Sequence, residues 1–176
     1  MNTELLQQSE KNELIGLEEQ HEILSLVQKF AMEKLGYSKV KVSSFPLLQK
    51  KPLSKVTIAF TRSLNDLYFR FGKYGFADFK DKKIIVVARI GFRKKKRGYG
   101  TALLKELCLF GEKFGYEYLE VECPNDDCQA FMKKLGFKDE FYLPIEQLKK
   151  SIQEYELLKQ DEAKCCCYSP IKMSMR

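Results

Sequence analysis

Apolar residues recur at helical spacing over residues 17–35, where Ile23, Val27, Phe30 and Ala31 share a face and Gly36 can serve as a C-terminal cap. The period then changes to that of a strand. Val40 and Val42 alternate with lysines over residues 39–45, and Pro46 ends the run. Residues 56–61 and 67–71 read as two more strands, with Ser63-Leu64-Asn65-Asp66 as the turn between them. The strongest strand is 82–92, because Ile84-Ile85-Val86-Val87-Ala88 is apolar at every position and so predicts burial on both faces. Helical spacing returns after Gly98 and Gly100, with Leu103, Leu107, Phe110 and Phe114 on one face and Gly115 as the stop. Residues 118–123 form a further strand. Pro124-Asn125-Asp126 starts a short helix that carries Ala130, Phe131 and Leu135 and ends at Gly136. Residues 144–160 form an amphipathic helix with Ile145, Leu148, Ile152, Tyr155 and Leu158 on one face. Ile171, Met173 and Met175 alternate with polar residues as a terminal strand, which Pro170 assigns to an edge or a bulge. Residues 1–16 are polar and acidic, an N-terminal extension to a single domain over 17–176. Antiparallel strands followed by strand–helix alternation give a mixed α/β class.

The chain has 176 residues, the size of one domain. Hydrophobic residues make up 44% of it and charged residues 31%, enough apolar surface to exclude a disordered chain. No apolar run approaches the ~20 residues of a membrane span, so no membrane partner is expected. Met1-Asn2-Thr3-Glu4 is acidic and lacks an apolar stretch behind a basic start, so a secretory signal is not expected and the cytoplasm is. The six cysteines, Cys108, Cys123, Cys128, Cys165, Cys166 and Cys167, show no regular spacing. Three adjacent cysteines on a strand would point to opposite faces and suit a tetrahedral metal site poorly. All six are expected as reduced thiols, with no metal.

Lys and Arg number 31 against 24 Asp and Glu, a net charge of +7. Residues 80–97 hold nine of the basic residues and one acid, Asp81, which leaves 22 basic and 23 acidic residues elsewhere. The whole excess is therefore local, and densest at Arg93-Lys94-Lys95-Lys96-Arg97. A basic cluster of this kind is either a solvated loop or the partner of an anion such as a phosphate or a nucleic acid.

The buried strand runs directly into this basic turn, and the turn opens a helix. A helix N-terminus supplies unpaired N–H groups and partial positive charge, and Gly98 and Gly100 let the backbone approach a ligand. The turn is neither a Walker loop nor a dinucleotide fingerprint. Lys95-Lys96-Arg97-Gly98-Tyr99-Gly100-Thr101-Ala102-Leu103-Leu104 resembles the acyl-CoA pyrophosphate loop of the GNAT N-acetyltransferase superfamily, written Arg/Gln-x-x-Gly-x-Gly/Ala. Leu119-Glu120-Val121, Asn125, Ala130-Phe131 and Lys133-Lys134-Leu135-Gly136-Phe137 resemble that family's next strand, asparagine and short helix. The resemblance is specific over residues 82–138. It departs from the family at Lys95, which stands where the family has Arg or Gln, and at Met132, where many members have a tyrosine thought to protonate the CoA thiolate.

The resemblance implies a GNAT-like, mostly antiparallel mixed sheet with splayed central strands, flanked by helices. It also implies direct attack of an amine on acetyl-CoA, with no metal. Lys95, Lys96, Arg97, Gly98, Tyr99, Gly100, Thr101 and Asn125 would hold the cofactor, and backbone near Ile90 and Phe92 would meet the thioester. Methionine cannot donate a proton, so Cys128, one turn from Met132, is the candidate acid; Tyr168 or a water would be substitutes. A base must take the amine's proton. The strand 82–92 has no carboxylate, and Glu120 and Glu122 are the nearest, with Glu122 as the candidate. Each of these residues also has a plainer reading: Cys128 as a packed small side chain, the glutamates as solvated strand residues. Tyr68, Phe69, Phe71, Tyr74, Phe76 and Phe79 either floor an acceptor pocket or pack on the core. The competing functions are a non-catalytic acyl-CoA-binding module and a nucleic-acid binder using residues 93–97. The sequence leaves homodimerisation and the identity of the amine acceptor open.

Overall fold

The computed structural model describes residues 14–46, 51–74 and 82–166, with side chains as far as residue 161. The elements in chain order are α1 (Leu17–Glu33), β1 (Ser43–Phe45), β2 (Lys55–Arg62), β3 (Asn65–Lys73), β4 (Lys83–Gly91), α2 (Tyr99–Phe114), β5 (Tyr118–Val121), α3 (Asp126–Lys134), β6 (Tyr142–Pro144) and α4 (Ile145–Cys166). The six strands make one sheet in the order β1-β2-β3-β4-β5-β6. Every neighbouring pair is antiparallel except β4 and β5, which run parallel. A parallel pair needs a crossover, and α2 supplies it.

Alternation along the strands divides the sheet into two faces. Leu67, Phe69, Phe71, Ile85, Val87, Leu119 and Val121 join the principal core. Into the same core pack Ile23, Val27 and Phe30 of α1, Leu103, Leu104 and Leu107 of α2, Met132 of α3, and Leu148 and Ile152 of α4. Ile84 and Val86 face the other way, into a smaller cluster with Tyr74, Tyr118 and Tyr142. The unbroken apolar run of β4 thus serves both faces, and all four residues from Ile84 to Val87 are fully buried. Of the six aromatics over 68–79, Phe69 and Phe71 are core residues while Tyr68 and Tyr74 lie partly exposed; Phe76 and Phe79 lie outside the described residues.

Several boundaries differ from the sequence expectation. The strand expected over 39–45 is paired only from Ser43, opposite Thr57 to Ala59. Val40 and Val42 nevertheless pack on the core, so their alternation reports burial without a ladder. Ile15 is fully buried and forms a bridge with Leu53, so packing begins inside the stretch 1–16. The strand at 118–123 ends at Val121, before Cys123 takes φ +42°. β6 has three residues, too few to show a period. Leu158, expected on the buried face of α4, is 65% exposed because the helix runs on past the core. The expected strand at 171–175 lies outside the described residues. Among the described residues no helix is long and apolar enough to cross a membrane.

A buried polar network ties α1 to the centre of the sheet. Lys83 Nζ donates to Glu19 Oε2 at 2.7 Å and to the Phe114 carbonyl at 3.2 Å. Tyr116 Oη donates to Glu19 Oε1 at 2.6 Å. Lys83 is 7% exposed and Glu19 and Tyr116 are each 4% exposed, so both charges are out of water and each depends on the other. Burial, with the Glu19 charge beside it, holds the Tyr116 hydroxyl well above the ordinary phenol range. Lys83→Met is expected to destabilise the fold by about 3–5 kcal/mol, because it leaves the buried Glu19 carboxylate without its ion-pair partner. The double variant Lys83→Met/Glu19→Leu should recover much of that loss in urea unfolding, with the Tyr116 hydroxyl then lacking its acceptor. Equal losses for the single and double variants would make Lys83 a packing residue instead.

Candidate active site

β4 and β5 are paired from Ile84–Tyr118 to Val87–Val121 and no further. The last bond between them runs from the Glu122 N–H to the Val87 carbonyl at 3.0 Å. On its other edge β4 stays paired with β3, but Phe69 opposes Val87 and Tyr68 opposes Arg89, so Ala88 is an extra residue in a bulge. Beyond Val87, β4 therefore has β3 as its only strand partner, and an open edge runs from Ala88 through Ile90 to Gly91. This is the expected splay, at the carboxyl ends of two parallel strands. Ile90 and Phe92 both lie half-buried at this edge of the core.

The basic turn follows at once. Its base is fixed by Asn65, whose Oδ1 accepts from the Arg93 N–H at 2.9 Å and whose Nδ2 donates to the Tyr37 hydroxyl at 2.7 Å. Lys96 has φ +58° and Gly98 φ +75°, with Arg97 between them on the ordinary side, an alternation that turns successive N–H groups toward one concavity. Gly98 is the N-cap of α2 and offers no side-chain cap, and the first turn of α2 contains no acid. By contrast α1 has Glu18 and Glu19 in its first turn, while α3 has Asp126, Asp127 and a capping side chain. The N–H groups at the start of α2 are thus left uncompensated, beside the exposed side chains of 93–97. Tyr99 packs on Phe92 at 5.6 Å and Phe92 on Phe30 at 6.0 Å, which seats the turn on the core. Thr101, in the first turn of α2, is buried.

The two motifs meet. Lys95 Nζ lies 2.7 Å from Asp127 Oδ2, joining the turn before α2 to the first turn of α3. Both side chains are 76% exposed, so this pair adds little stability. Its charge partner holds the Asp127 carboxyl below the ordinary range. Gly100 has a role the sequence did not disclose: an added Cβ would stand 3.0 Å from the Phe131 ring, so its lack of a side chain lets α2 lie against α3. Asn125 is an N-cap, its Oδ1 accepting the Cys128 N–H at 3.0 Å. Met132 is fully buried in the core, where a side chain at this position faces packing. Cys128 is half-buried in the first turn of α3, and burial raises its thiol pKa.

Glu120 of β5 and Glu122, just past its end, differ. Arg70 of β3 and Glu120 of β5 stand in one row across the sheet, each opposite Val86. Glu122, two residues further along, is bonded by Arg70 Nη2. Burial raises the Glu120 carboxyl, the neighbouring Glu122 charge adds to that, and Arg70 opposes it. The rings of Tyr68 and Tyr74 are covered by Arg89 and Arg70 at 5.0 and 5.4 Å. Arg70 and Asn65 were missed from sequence. The even-numbered parity shared with Tyr68 was the available signal for Arg70, but register with Glu120 needs the sheet. His21 is exposed on α1, away from these residues. Among the described residues no group of three His, Cys, Asp or Glu is placed to hold a metal ion.

The thiols give a direct check on this geometry. Burial pushes Cys108 up to about 12, whereas Cys123 is exposed. Peptide-mapped alkylation at pH 8 should label Cys123 first, Cys128 more slowly and Cys108 only after unfolding, since the thiolate is the nucleophile. Cys128 labelling as fast as Cys123 would contradict its placement.

No curated protein and no solved structure matches the chain. Residues 68–137, which run from β3 through the bulge, the parting strands and the basic turn to the end of α3, match the model of the acetyltransferase (GNAT) family.

Proposed function

We propose that the protein transfers the acetyl group of acetyl-CoA to an amine of a small molecule or a protein by direct attack. The observation that carries this reading is a sequence of features along one strand: β4 parts from β5 after Val87 and Val121 and then leads through the basic turn into the uncapped, acid-free N-terminus of α2. That terminus fits a pyrophosphate, because its N–H groups have no competing carboxylate and 93–97 surround it with cations. The backbone from Lys96 to Thr101 binds the phosphates, with Lys95 directed by Asp127. Acetyl-CoA supplies a thioester carbonyl that reacts once an N–H polarises it. The open edge of β4 around Ile90 is the place for that donor.

Proton handling falls to β5 and α3. Glu120 is a better base than Glu122, because its raised pKa and bare oxygen suit taking a proton from an ammonium, while Glu122 holds Arg70. Cys128 keeps its proton at neutral pH and is the proposed acid. A thiolate leaving group of pKa near 8.5, by the cysteine reference, needs little assistance. A second reading, a non-catalytic acyl-CoA-binding module, is favoured by one fact: the residue at the family's tyrosine position, Met132, is packed in the core.

Calorimetry with CoA tests the binding half. Gly98→Ala, which forces a Cβ into left-handed backbone, should weaken CoA binding and destabilise the fold by about 1–2 kcal/mol. Undiminished CoA affinity would remove the turn from the site. Release of free CoA with an amine panel separates transfer from binding alone. Glu120→Gln should lower kcat by roughly 10²–10⁴-fold. In the parent enzyme kcat/KM should rise with pH through a step above the ordinary glutamate range, as Glu120 loses its proton, and that step should vanish in Glu120→Gln. A profile that keeps the step in the variant would assign it to another group.

A further inference from the structure

Among the described residues, only two buried side-chain polar atoms lack a hydrogen-bond partner: Arg70 Nε and Glu120 Oε2. They are opposite in kind, a cationic donor and a carboxylate acceptor. They are also neighbours in the sheet, since Arg70 and Glu120 both oppose Val86, one from each side. Two strand spacings, about 10 Å, separate their Cα atoms. Both residues are partly exposed, but these two atoms are covered, and a covered polar atom of a charged group without a partner is costly.

Arg70 already gives Nη2 to Glu122, and its Nε is left without an acceptor. A carboxylate takes a charge-assisted hydrogen bond from a guanidinium more strongly than any neutral group does. On the far side of Val86, the bare oxygen of Glu120 matches an ammonium. Between them lies Val86, which like Ile84 is apolar and fully buried, with Tyr74, Tyr118 and Tyr142 packed around the pair. Glu122, at the end of β5, puts the row directly below the point where β4 and β5 part.

We infer that the amine acceptor is a free α-amino acid, its carboxylate on Arg70 and its amine toward Glu120, with Glu122 as the positioning partner of Arg70. This rests on the acetyltransferase reading above. The amine nitrogen forms a bond to the acetyl carbon and the carbon–sulfur bond breaks. Of the two protons the ammonium loses, one ends on the CoA thiolate and the other leaves through Glu120 to water. A decarboxylated amine leaves Nε bare. A lysine side chain in a protein brings no carboxylate beside its amine.

The test compares the common L-α-amino acids with their carboxamides, with decarboxylated counterparts such as tyramine and phenethylamine, and with a lysine peptide, reading free CoA. At least one amino acid should exceed its carboxamide and its decarboxylated amine at least tenfold in kcat/KM. Arg70→Gln should raise KM for that amino acid at least tenfold more than it raises KM for the carboxamide, and leave CoA affinity intact as the check on folding. Preference for tyramine, phenethylamine or the lysine peptide overturns the inference while the transferase reading stands. So does an equal loss for all acceptors in Arg70→Gln, which would confine Arg70 to holding Glu122. Calorimetry of the same amino acids against the CoA-loaded protein decides the matter without turnover. Binding weakened tenfold by Arg70→Gln, with no acceptor releasing CoA, supports the amino-acid site and sinks acetyl transfer. No binding of any amino acid overturns the site.

Discussion

A strand paired on both edges as far as Val87, and on one edge beyond it, has to do two things with one stretch of backbone. The first half of β4 needs side chains that tolerate burial on both faces, and Ile84-Ile85-Val86-Val87 meets that need. The second half must release β5 while keeping β3, and the extra residue at Ala88 re-aims the ladder so that this happens. Everything at the candidate site follows from where the release occurs. Because β4 and β5 are parallel, both leave the sheet at the same end, and the helices that follow them start there together. The Lys95–Asp127 contact and the close approach of Gly100 to Phe131 are consequences of that shared end.

Charge is arranged on the same plan. The helix starts could all attract anions, yet α1 and α3 carry acids in their first turns and α2 does not. The basic residues are concentrated at the one start left uncompensated. On the sheet the charges come in a different form: Arg70 and Glu120 share a row, one on each side of Val86, and Glu122 two residues further on pairs with Arg70. Cations thus gather at one helix start, while the neighbouring strands carry charges of both signs.

Much of the fold was legible because burial leaves a period in the sequence. The helices at 17–35 and after Gly98, the doubly buried strand and the order of elements all follow from spacing. What escaped was short or depended on partners. β6 spans three residues, and the pairing of residues 39–45 fails over Lys39 to Val42 although their alternation is real. The loop at the candidate site was legible because its chemistry is local: glycines, cations and a helix start are contiguous. The character of the glutamates proposed for proton transfer was not, because it is set across strands. Glu120 and Glu122 look alike in the sequence, and only the register with Arg70 gives one an ion pair and the other a bare oxygen. Gly100 was read as access for a ligand from its place in the loop, while its second service, letting α2 lie against the Phe131 ring, needed the packing of α3 to be known. Met132 was noticed as a missing tyrosine, while its burial needed the packing of α3 to be known.

The buried Lys83–Glu19–Tyr116 network has a bearing on how the chain is made. Glu19 bonds residues 64 and 97 positions later, so neither partner exists when α1 leaves the ribosome. Until β4 and the end of α2 have been synthesised, docking α1 on an apolar surface would bury a carboxylate with nothing to neutralise it. The helix is therefore held back as a solvated, amphipathic segment while the hairpin β2–β3 can already form. Its seating becomes a late event of high sequence separation, the kind of contact that slows folding. An element near the start of the chain thus depends for its seating on residues that follow it by more than sixty positions.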